Sequence, residues 1–138
     1  MAQTDLQTSV SKTSLWIGRI VGGLPALFLL VDGAMKLAKP KVVVDATVKL
    51  GYSESTIIPI GIVLIACTIL YLIPPTAVLG AILLTGYLGG AVATHVRAGE
   101  PLFSVVFPIV FGVMLWLGLY LHDTRLRALI PLRSSNRS

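Results

Sequence analysis

The chain has 138 residues, of which 55% are hydrophobic and only 12% charged, and its mean hydropathy is +0.88. A soluble core of this length cannot hide so much apolar surface, so the composition excludes an ordinary soluble domain and asks for lipid as the solvent. The formal charge of +5 does not point to nucleic acid, because the Lys and Arg residues fall at the ends of apolar runs, where they meet headgroups and set topology.

Residues 1–14 form a polar, Ser/Thr-rich tail unlike the basic start of a secretory signal. The first apolar run, Leu15 to Leu37, is longer than a signal core and meets no clear cleavage site, so it is predicted to be a retained membrane span. Gly18, Gly22 and Ala26 give it a small-xxx-small ridge, and Pro25 predicts a kink at mid-span. Residues 38–55 place Val43, Ala46 and Leu50 at helical spacing among Lys39, Lys41, Asp45 and Lys49, which predicts a short amphipathic helix lying in the interface, with a solvated loop as the alternative.

The second span is predicted over Thr56 to Ile73, with the lone cysteine, Cys67, inside it; one cysteine excludes an intramolecular disulfide, a CxxC redox pair or a cysteine zinc cluster. Pro74 and Pro75 then force a tight hairpin into the third span, Thr76 to Val96, whose Gly86 and Gly90 form a second ridge beside Gly89. Glu100 and Pro101 separate it from the fourth span, Leu102 to Leu121, and residues 128–138 form a basic tail. Pro59 and Pro108 are expected in the first turns of their helices. Trp16, Tyr71, Trp116 and Tyr120 are expected to form an aromatic belt at one interface. The predicted fold is therefore all-α, a single four-helix transmembrane bundle over residues 15–127 with a short interfacial helix between its first two spans.

Four crossings put both termini on one side, and the positive charges there, Lys12, Arg19, Arg125, Arg127, Arg133 and Arg137, give a slim preference for cytoplasmic termini. On the opposite, outer side the hairpin order gathers Asp32 and Lys36 from the first span with Thr94, His95, Arg97 and Glu100 from the end of the third. Asp32 and Lys36 share a helical face and are expected to pair. Two readings stay open for the cluster: basic side chains snorkelling to headgroups beside neutralising carboxylates, or a polar pocket for a small molecule or quinone-like headgroup in which His95 exchanges a proton with Asp32 or Glu100. On the terminal side Arg19 is placed to pair with Asp123 or His122 and close the bundle, or to snorkel past Trp16. No HExxH, GxSxG, phosphate loop or metal-spaced His/Asp cluster occurs, so no metal or haem is expected.

Particular runs carry a resemblance: Arg19, Phe28, Asp32–Gly33 and Lys36, then Leu50–Gly51–Tyr52, the long stretch Leu79 to Arg97, and Trp116 to Leu121 followed by His122–Asp123. In these the chain resembles the DoxX-like branch of the DoxX family of small four-helix membrane proteins. The resemblance implies a plasma-membrane location, usually bacterial, and association with redox or oxidative-stress complexes; the family takes its name from a subunit associated with thiosulfate:quinone oxidoreduction. Three functions are weighed: a non-catalytic accessory or scaffold subunit packing on a membrane partner, a quinone- or small-molecule-binding oxidoreductase component, and a small transporter working as a homo-oligomer. No protein cofactor is predicted, with quinone the one candidate ligand.

Overall fold

In lipid the backbone finds no water to satisfy its polar groups, so each apolar run closes its own hydrogen bonds as a helix. The computed structural model describes residues 12–123 and Leu126; the predicted tails lie outside the described residues, except that Lys12 to Ser14 already belong to the first helix. The helices are α1 Lys12–Ala38, α2 Lys41–Lys49, α3 Ile57–Leu72, α4 Ala77–Arg97 and α5 Leu102–His122. The four long ones, α3 together with the 3-10 turn Glu54–Thr56 before it, are long and apolar enough to cross a membrane, and the described residues form an all-helical four-span bundle.

Punctuation falls where the sequence placed it. Lys39 adopts a left-handed φ of 53°, its amide donates to the Met35 carbonyl at 3.0 Å, and Pro40 caps α2. Pro74–Thr76 is a single 3-10 turn, closed by the Thr76 hydroxyl donating to the Leu70 carbonyl at 2.8 Å. Gly99, at φ 69°, ends α4 in the conformation that glycine adopts at least cost. Helix α2 forms as expected, with Val43, Val44 and Thr47 half-buried against the bundle and Ala46 exposed.

Helix α1 packs between α3 and α5, and α4 packs between the same two on the opposite corner. Glycine makes these contacts possible, because close backbone approach replaces the hydrophobic drive that lipid removes. A Cβ on Gly118 would stand 2.5 Å from the Gly22 amide nitrogen and 2.8 Å from the Gly18 carbonyl oxygen, so α1 and α5 meet backbone to backbone. Gly33 and Gly61 seat α1 on α3 in the same way, a Cβ on Gly61 falling 3.0 Å from the Gly33 oxygen, and Gly80 lies against the backbone of Tyr71. The core between them is Ala26, Leu29, Leu64, Ala81, Leu84, Leu115 and Leu119.

Gly86 and Gly90, along with Gly89, have nothing of their own chain within 4 Å of an added Cβ, so the second ridge faces outward. Two expectations are corrected. Pro108 lies inside α5, two turns from its start, rather than in the first turn. Tyr71 is not an interfacial belt residue: it is buried, and its hydroxyl donates to the Leu115 carbonyl at 2.6 Å. The hydroxyl substitutes for a water that lipid cannot supply, tying α3 to α5. Tyr71→Phe is expected to lower stability by about 0.5–1.5 kcal/mol, read as an earlier midpoint in denaturation by SDS.

Packing is uneven along the axis. On α4 no residue beyond Leu88 is buried, and on α5 only Pro108 is buried before Leu115. The buried residues of α4 and α5 thus concentrate toward the proximal face, which carries the start of α1 and the end of α5, and thin out toward the distal face.

Candidate functional site

The distal half holds the polar cluster. Asp32 lies six residues before the end of α1, about 9 Å at 1.5 Å per residue, which places it inside the apolar span. A carboxylate there needs a counter-charge, and Lys36 supplies it: its Nζ donates to Asp32 Oδ2 at 2.6 Å, with the side chains 15% and 36% exposed for Lys36 and Asp32. One turn deeper on the same face of α1, Phe28 stacks edge-on against Phe111 at 4.9 Å and Phe107 at 5.6 Å, tying α1 to α5.

From the opposite corner α4 contributes Tyr87, Thr94 and His95. Tyr87 lies within electrostatic reach of both Asp32 and Tyr52. The Thr94 hydroxyl donates to the Gly90 carbonyl at 2.8 Å, which spends its one proton; Tyr52 therefore donates to Thr94 across 2.6 Å. This latch fixes the segment after α2 over the bundle end. Gly51, at φ 96°, allows the approach, and a Cβ there would sit 3.0 Å from an Arg97 guanidinium nitrogen. A Lys39–Glu54 ion pair of 3.3 Å ties the residue that ends α1 to the 3-10 turn after α2, closing the loop that holds α2. Tyr52→Phe is expected to leave the fold intact, lose about 0.5–1 kcal/mol and speed amide exchange locally over residues 50–56.

The structure thus brings Asp32, Lys36 and Thr94 to one end with Arg97 at its rim, but it does not make His95 part of a proton relay. Its Nδ1 is buried without a hydrogen-bond partner, and neither Asp32 nor Glu100 pairs with it among the described residues; the Glu100 amide instead donates to the His95 carbonyl at 3.0 Å. Glu100 sits at the α4–α5 turn, where helix geometry commits its backbone and not its carboxylate. Sequence reasoning left Tyr52, Tyr87 and the Phe103, Phe107, Phe111 stripe outside the site. The aromatic stripe was open to detection, since its members recur every four residues on one face of α5.

At the proximal face the expected Arg19–Asp123 ion pair does not form. Both residues line a cavity of about 620 Å³, but the Arg19 guanidinium lies over the Trp16 ring, 5.7 Å from its centroid, while Asp123 Oδ1 accepts from the Leu126 amide at 3.2 Å. A third feature lies on the lipid side, an apolar groove of about 540 Å³ between α4 and α5 floored by Gly89 and Gly112, with Trp116 donating to Thr85 across it at 2.7 Å.

Four apolar helices, packed through glycine contacts and carrying a paired charge inside the distal half, define a small multi-pass membrane bundle. The profile of the DoxX-like family matches residues 20–118, which takes in Asp32, Lys36, Tyr52, Thr94, His95 and all but one of the helix-contact glycines, and the chain belongs to that family. No curated protein and no solved structure matches it.

Proposed function

We propose that this DoxX-like protein is a non-catalytic accessory subunit of a membrane redox or stress-response system, resident in the plasma membrane. The observation that carries the reading is a contrast between two sets of glycines. Gly18, Gly22, Gly33, Gly61, Gly80 and Gly118 are each consumed by a helix contact within the chain, whereas Gly86, Gly89 and Gly90 meet nothing and turn outward beside the α4–α5 groove. In lipid, a face without side chains is where another helix gains the most van der Waals contact. The distal polar groups favour the same reading, because Asp32 with Lys36 and Tyr52 with Thr94 neutralise or satisfy one another.

Native mass spectrometry after mild extraction tests it. The wild-type chain is expected in a complex larger than its own mass, and Gly86→Leu/Gly90→Leu, which has room for both side chains, is expected to release a folded monomer. A monomeric wild type, or a complex indifferent to the double substitution, would overturn the proposal.

A second reading, a distal pocket for a quinone or other small headgroup, is favoured by one observation: the buried, unpartnered Nδ1 of His95. Titration with a quinone analogue decides it, since a site that uses His95 loses binding in His95→Phe, and no binding at saturating analogue removes the reading.

A further inference from the structure

Arg19 is the one charged side chain of the proximal cavity that the accessory reading leaves without a task. The cavity opens between the start of α1, the end of α3 and the end of α5, and Leu15, Gly23, Tyr71, Leu119 and His122 wall it with Arg19. Its volume of about 620 Å³ falls within the range of small-ligand sites, roughly 300–1,000 Å³. No ion pair among the described residues includes Arg19; its partner is the Trp16 ring, a contact that orients the guanidinium but leaves its forked donors unspent.

We propose that this mouth seats one membrane phospholipid, with the phosphodiester on the Arg19 guanidinium and an acyl chain running inward past Leu119 and Gly23. A guanidinium matches a phosphate's paired oxygens geometrically, and basic pockets between membrane helices at the headgroup level are suited to lipid heads. The apolar walls select an amphiphile over a free ion. Gly23 provides an independent handle, because it lines the cavity and an added Cβ there meets nothing within 4 Å.

The test uses the full chain, delipidated in mild detergent and titrated with phosphatidylglycerol under native mass spectrometry. Wild type is expected to hold one lipid tightly. Arg19→Ala should weaken that first site at least tenfold and Arg19→Lys less. Gly23→Leu should abolish it sterically while helix content and unfolding midpoint stay at wild-type values, and Lys41→Ala, exposed on α2 at the distal face, should change nothing. Millimolar inorganic phosphate should not displace the lipid. Equal retention by wild type and Arg19→Ala would overturn the proposal. So would loss in Gly23→Leu alone, which would mark an apolar chain site, or displacement by inorganic phosphate, which would mark a free-anion site.

Discussion

Gly118→Ala is expected to be among the most damaging single-methyl changes this chain can suffer, while the same change at Gly86 is expected to stabilise the chain slightly. The added Cβ at Gly118 would fall 2.5 Å from the Gly22 nitrogen and 2.6 Å from its Cα, both backbone atoms of the facing helix, so no side-chain rotation relieves the overlap. Helices α1 and α5 would have to separate along their whole proximal half. Overpacking typically costs about 1–3 kcal/mol, and contact with backbone puts this case at or above the upper end. Gly86→Ala introduces no contact within 4 Å and gains helix propensity worth up to about 1 kcal/mol. Unfolding in bicelles with increasing SDS should therefore move the two midpoints in opposite directions.

The second large effect concerns the ion pair. Lys36→Met leaves the Asp32 carboxylate within the apolar span with its nearest counter-charge gone, and breaking a buried pair costs about 3–5 kcal/mol. Asp32 keeps 36% of its side chain exposed, so the loss here is set lower, at about 1–3 kcal/mol. Adding Asp32→Asn to Lys36→Met removes the stranded charge, and the double variant is expected to recover most of that loss. The double-mutant cycle measures the coupling; if the two single losses simply add, the residues act independently and the paired geometry is not what holds them in the membrane.

The number of the spans is legible in the sequence, because lipid imposes a length of apolar run and the Pro74–Pro75 and Glu100–Pro101 pairs punctuate it. Which faces pack is much less legible. Helices that are apolar all round lack the amphipathic stripe that identifies a core-facing side in water, so Gly18–Gly22 and Gly86–Gly90 look equivalent by spacing although one pair is buried and the other is bare. The same logic divides the distal cluster. Asp32 and Lys36 pair as their four-residue spacing predicts. Tyr52 and Thr94 are 42 residues apart, and only the tertiary fold discloses their hydrogen bond. Arg19 and Asp123 reach the same cavity, yet Trp16, three residues before Arg19 and on the same helix face, captures the guanidinium locally.

The most direct test of the claim that the bare α4 face serves a partner is photo-cross-linking in native membranes. A thiol-reactive photoprobe would be placed on Gly90→Cys and, separately, on exposed Leu27→Cys of α1 at the opposite corner, in a Cys67→Ala background. A discrete adduct from position 90 and none from position 27 is the predicted result. No adduct from position 90, or the same adducts from both, would contradict the account.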